Sequence, residues 1–147
     1  MKRSEVQSGQ ILTFRGVHFV YVKKWDHDTA FVLPIVIDAK PQTTTEFVCG
    51  TDTGTTVVAQ CWNCRNMLWE DLELSVPTTL GTVLAEKMAE MWHVVRRAFT
   101  GVDVPKEIER SIGPEVTLIN CLAVRKYQSE WNRRAHPIQE NVIKKFF

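Results

Sequence analysis

Nine consecutive residues, Thr29-Ala30-Phe31-Val32-Leu33-Pro34-Ile35-Val36-Ile37, carry no charge between Asp28 and Asp38. Their length and β-branched content predict a strand buried on both faces, because a half-exposed strand would alternate apolar with polar side chains. Such a strand needs neighbours and a covering layer, so it excludes a simple helical bundle. Pro34 cannot donate to a strand ladder, so an edge or a bulge is expected there.

The residues on either side agree. Gln10-Ile11-Leu12-Thr13-Phe14 and Val17-His18-Phe19-Val20-Tyr21-Val22 flank Arg15-Gly16, which predicts a hairpin. Glu46-Phe47-Val48-Cys49 and Thr55 to Gln60 flank Gly50-Thr51-Asp52-Thr53-Gly54, a second hairpin, and Trp69 to Val76 reads as a last short strand. Five or six short strands joined by tight turns predict a small antiparallel β-barrel, which leaves few open edges.

From Thr82 the period changes. Leu84, Met88, Met91, Trp92, Val95 and Phe99 recur at three- and four-residue steps, an amphipathic helix expected to pack through Leu84, Met88, Met91 and Val95. Thr82 is its expected N-cap, Arg96 and Arg97 suit its last turn, and Gly101 fits just beyond its end. Pro105 opens a short helix that stops at Gly113-Pro114. A third helix is expected over Glu115 to Arg134, and a short amphipathic tail over Ile138 to Phe147. The fold class is therefore α+β: residues 1–100 form the barrel with its packing helix, and residues 101–147 form a helical C-terminal extension.

A net charge of +1 on 147 residues argues against a histone-like binder that relies on many phosphate contacts. No apolar run approaches the roughly 20 residues that span a bilayer. The first ten residues lack the apolar stretch of a secretory signal, so a cytoplasmic protein is expected. Cys61-Trp62-Asn63-Cys64 has the gap of a zinc knuckle or a redox dithiol, while Cys49 and Cys121 are isolated. Buried structural thiols, zinc and redox chemistry all remain open from spacing alone.

Candidate chemistry is sparse. Phosphate-cradling glycine loops, nucleophile elbows and HExxH pairs are absent from the sequence. Of the four histidines, His93 reads as a packing residue and His27 as part of an exposed Asp-His-Asp turn. His18, near the first hairpin turn, is the one placed to line a groove as a proton carrier. Arg15, His18, Tyr21, Lys23, Lys24 and Trp25 form a basic and aromatic patch able to stack bases and hold phosphate. Five tryptophans equally suit a protein-binding module.

Four segments in order carry a resemblance. Ser8-Gly9-Gln10-Ile11-Leu12 matches an opening Gly-Asp/Glu-Ile strand, and Val32-Leu33-Pro34-Ile35 matches a strand bearing Val-Pro-Ile/Val. Thr56 to Asn66 looks like a Gly-Val-Val-x-Cys/Ala-Asp-Gln-x-Arg/Lys-Thr/Ser run, and Gly81 to Met91 like the stretch that enters a C-terminal helix. Over residues 8–100 the chain thus resembles the MazF/PemK/Kid-like toxins of bacterial toxin–antitoxin systems.

The resemblance implies an SH3-like barrel that forms a homodimer, a cognate antitoxin protein as partner, and metal-independent endoribonuclease activity on single-stranded RNA without a cofactor. In that chemistry a base takes the ribose 2′-hydroxyl proton and cations stabilise the phosphate. Arg65 matches the family's basic position, and Arg15 and His18 are expected to reach the same groove as its catalytic partners. Lys23, Lys24, Trp25, Trp62 and Asn63 are the expected RNA-binding residues. Trp62 and Asn63 stand where the family has Asp and Gln, and the loop at Arg15 lacks the family's Arg-Pro pair. The alternative is a catalytically inactive barrel that binds RNA or protein.

Overall fold

The computed structural model describes residues 2–114. Cys121, the expected helix over 115–134 and the tail over 138–147 lie outside them. Seven strands build one antiparallel sheet: β1 (Gln10–Phe14), β2 (Val17–Lys24), β3 (Thr29–Ile37), β4 (Glu46–Gly50), β5 (Thr56–Gln60), β6 (Arg65–Leu68) and β7 (Val76–Thr82). Their order is β4-β5-β3-β2-β1-β7, with β6 also on β3. Helices α1 (Trp69–Leu74) and α2 (Ala85–Thr100) complete the α+β fold, with a 3-10 helix at Lys106–Ser111. No helix among the described residues is long and apolar enough to cross a membrane.

Strand β3 is the axis. One side pairs with β2 from Ala30 to Pro34; the other pairs with β6 from Thr29 to Val32 and then with β5 from Ile35 to Ile37. Pro34 therefore marks neither an edge nor a bulge. It pairs with Phe19 of β2, and on the other side it falls where β6 has ended and β5 has not begun. Phe31, Val32 and Leu33 are fully buried. Each contributes about 1.5–3 kcal/mol of apolar burial.

The register sorts side chains onto two faces. Phe31, Leu33 and Ile35 share a face with Val20, Phe47, Val57 and Ala59, and α2 covers it with Met91, Val94 and Val95, joined by Val104 and Ile108. Ala30 and Val32 face the other way with Phe19, Tyr21 and Met67, against Trp69 and Leu72 of α1. Seven strands exceed the five or six expected, and the sheet does not close as a barrel. No ladder joins β4 to β7 among the described residues; beyond their ends a single bridge links Thr51 to Val83. Gly9 (φ +93°) and Gly81 (φ +98°) flank that seam, where a Cβ would meet Val83 O and Asp52 Oδ1 respectively.

Two elements differ from expectation. Trp69 to Leu74 is helical because Trp69 and Leu72, three apart, bury one face, with Glu70 and Asp71 in the first turn. The apparent alternation through Leu74 and Val76 is spurious, since these residues are 73% and 59% exposed. Strand β7 follows. Its Pro77 and Gly81 resemble loop residues but are tolerated on an edge strand that pairs only with β1.

Helix α2 begins at Ala85 after Leu84, so Thr82 belongs to β7 and is not its N-cap. Gly101 ends it in the left-handed conformation, donating to Arg97 O. Leu84 is 48% exposed rather than packed. His93 is exposed too, against the packing role expected of it. We expect Met91→Ala to lower stability by about 2–5 kcal/mol and Leu84→Ala to stay within about 0.5 kcal/mol of wild type. Urea titration checks both, and the reverse order would contradict the packing.

Candidate functional site

Between β5 and β6 the chain must step past Pro34. It does so through a 3-10 turn, Cys61–Asn63, followed by extended Cys64. Gln60 closes β5 one residue beyond Ala59, the partner of Ile35, while Arg65 opens β6 opposite Val32. Both side chains therefore lie on the Val32–Tyr21 face, on either side of the seam. Glu46 pairs with Gln60 across the β4–β5 hairpin and joins them on that face. Glu46, Gln60, Asn63 and Arg65 are each 3% exposed or less, so four polar side chains are buried around this connection.

Some of their polar atoms are satisfied. Glu46 Oε1 accepts from the Gln42 backbone N–H at 2.7 Å, and its Oε2 accepts from Trp62 Nε1 at 2.8 Å. Asn63 Nδ2 donates to Gln60 Oε1 at 3.1 Å. The rest are not. Arg65 Nε and Nη2, Gln60 Nε2 and Asn63 Oδ1 are buried without a hydrogen-bond partner among the described residues, as are Asn66 Nδ2 and Oδ1 on the opposite face. Burial pushes the Arg65 pKa down, and none of the ion pairs among the described residues involves it. A buried guanidinium with open donors is costly, and an acceptor, best an anion, relieves that cost.

The other expected site residues lie elsewhere. His18 shares the face of Val20, opposite to that of Tyr21 and Arg65, because alternate residues of a strand point opposite ways. Arg15 is exposed in the two-residue turn at φ +52°, with its guanidinium 5.1 Å from the Phe14 ring. It lies beyond Val17, roughly 13 Å or more along β2 from the Tyr21 row. The expected groove shared by Arg15, His18 and Arg65 is thus not formed.

The basic and aromatic patch is spent on packing. A bulge at Val22 shifts the register so that Lys23 pairs with Phe31 and turns to the α2 side. There Lys23 Nζ lies 3.9 Å from the Trp92 ring centre. Trp25 is buried, stacked on Phe31 at 6.1 Å and 17°. Lys24 alone of the three is exposed. Among the expected RNA-binding residues, Trp62 and Asn63 belong to the 3-10 turn that leads into β6 and Arg65.

Sequence reading missed Gln60 and Glu46. The signal was present: the hairpin around Gly50–Gly54 forces residues 46 and 60 into register, and both are polar on otherwise apolar strands. The thiols also resolve in part. Cys61 is fully buried, with its Sγ 3.8 Å from Met91 O. Burial pushes Cys49 up to about 11 and Cys64 up to about 12. These shifts oppose the lowered pKa of a reactive dithiol. Among the described residues no three His, Cys, Asp or Glu side chains gather as a metal site.

Burial raises the Glu46 carboxyl above its ordinary value of 4.5, and the bonds from Gln42 and Trp62 offset part of the rise. A carboxyl raised on folding stabilises fully below its unfolded pKa and loses that contribution as pH climbs through the folded value. We expect wild type to lose stability relative to Glu46→Gln over that window, measured by urea midpoints from acidic to neutral pH. A difference that moves the other way would contradict the assignment.

Comparison with protein-family models, with curated proteins and with solved structures returned no match.

Proposed function

We propose that the protein is a binding module for single-stranded RNA that holds a phosphate group at Arg65 without cutting the strand. The observation that carries this reading is the buried Arg65 guanidinium, two of whose N–H groups have no hydrogen-bond partner among the described residues. Paired donors on a planar guanidinium fit two oxygens of one phosphate, and low local dielectric strengthens each bond. The resemblance to MazF/PemK/Kid-like toxins supports RNA as the source of that phosphate. Binding rather than cleavage is favoured because His18, the best available proton carrier, lies on the opposite face of β2. A base must stand within hydrogen-bond reach of the hydroxyl it deprotonates.

The test is fluorescence anisotropy with a mixed-sequence single-stranded RNA in chelator, with gel analysis of the same samples. Wild type should bind and leave the strand intact. Arg65→Met should weaken binding by roughly tenfold or more, equivalent to about 1.4 kcal/mol or more. The same variant should raise the urea midpoint in phosphate-free buffer, since an apolar side chain of similar volume replaces an uncompensated charge. Metal-free cleavage by wild type would overturn the non-catalytic reading and return Arg15 and His18 to candidacy. Absence of RNA binding would turn the search to protein partners.

A further inference from the structure

We infer that a cleft between β3, β5 and β7, separate from the Arg65 turn, binds a short peptide with free termini and an aliphatic side chain. The cleft has a volume of about 650 Å³ and lies between residues 37–40 at the end of β3, Thr55 and Thr56 at the start of β5, and Leu80 of β7. That volume falls within the ~300–1,000 Å³ of sites that enclose small ligands. The cleft lies where the sheet curls without closing: β4 and β7 are joined by no ladder among the described residues, and beyond their ends the bridge from Thr51 to Val83 draws them together. Gln60 ends β5, roughly 13 Å along the strand from Thr56. The cleft and the Arg65 turn therefore share no residue.

Three features of the lining select the ligand. Ile37 and Leu80 are partly buried and pack on the α2-side core, so they offer apolar walls. Asp38 and Lys40 carry opposite charges, both are exposed, and no ion pair among the described residues engages either. Proton accounting at the Thr51–Thr55 turn supplies the third. Thr51 Oγ1 and Thr53 Oγ1 both donate to Leu80 O, at 2.6 and 2.8 Å. A hydroxyl has one hydrogen, so in the 3.1 Å bond between Thr53 and Thr55 it is Thr55 that donates. With its hydrogen spent, Thr55 Oγ1 meets a ligand as an acceptor of N–H. An aliphatic peptide supplies every complement: an ammonium for Asp38, an amide N–H for Thr55, a carboxylate for Lys40 and an apolar side chain for Ile37 and Leu80. A nucleotide fits poorly, because no aromatic side chain among the described residues lines the cleft to stack a base and the Asp38 carboxylate repels phosphate.

The experiment is isothermal calorimetry on the full chain with the tripeptide Ala-Leu-Ala, its N-acetylated and C-amidated forms, triglycine and free leucine. Ala-Leu-Ala should bind, and triglycine should bind about tenfold or more weakly, since it lacks the side chain buried against Leu80 and Ile37. Acetylation and amidation should each weaken binding about two- to fivefold, the loss of one exposed ion pair. Asp38→Asn should bind the free and acetylated peptides alike, and Lys40→Met the free and amidated ones alike. Asn is chosen because Asp38 has φ +54°, a left-handed conformation that Asn also tolerates. Both positions are exposed, so the variants are expected to fold, with circular dichroism as the check. Absence of heat with Ala-Leu-Ala at millimolar concentration would overturn the inference, as would binding that neither variant alters. Free leucine bound as tightly as the tripeptide would overturn the assignment of a peptide. The RNA reading is tested apart from this one, because neither variant lies at Arg65.

Discussion

The structure depends on a single strand that serves three partners. β3 is fully buried along Ala30 to Leu33 and pairs with β2 on one side and with β6 and then β5 on the other. Every backbone group of a strand so placed must find a ladder partner or lie where none is required. Pro34 occupies the interval between β6 and β5. The interval has a second effect: the chain needs a connection from β5 back to β6, and Cys61–Asn63 supplies it. The polar residues at its two ends, Gln60 and Arg65, are thereby brought onto one face beside the seam. The candidate site is thus a by-product of how the central strand divides its hydrogen bonds.

On the other face, the same strand organises the helix. Phe31 stacks with Trp25 and meets Trp92 of α2 edge-on at 5.7 Å. The bulge at Val22 carries Lys23 onto this side, where its ammonium lies over Trp92. Without the extra residue Lys23 would point to the face of Tyr21, because strand side chains alternate. Basic and aromatic residues near a hairpin thus serve here as an anchor for α2, and a cation–π contact of this kind adds about 0.5–2 kcal/mol.

Arg65 stands apart from this economy of satisfied contacts. Around it lie Val32, Tyr21 and Met67, and its guanidinium keeps two donors open. A fold selected for stability alone would place an apolar side chain there, since an uncompensated buried charge weakens the native state. Glu46 shows the contrast nearby: it is equally buried, but both its oxygens are occupied.

The sequence by itself determined the two hairpins, the buried central strand, the amphipathic α2 and its glycine end, because each rests on local periodicity and turn chemistry. It also singled out Arg65, through position in a motif-like run. It misread Trp69–Leu74, where alternation and helical spacing compete over six residues and only the contact of Trp69 and Leu72 with the sheet decides between them. β7 was invisible because an edge strand tolerates the Pro and Gly that normally signal a loop. Which candidates share a face was settled by tertiary structure alone. Parity along β2 separates His18 from Arg65, one bulged residue reassigns Lys23, and Gln60 and Arg65 come to share a face because β3 exchanges one partner for another at Pro34. These are consequences of register, a relation between strands, and no single segment of the chain encodes it.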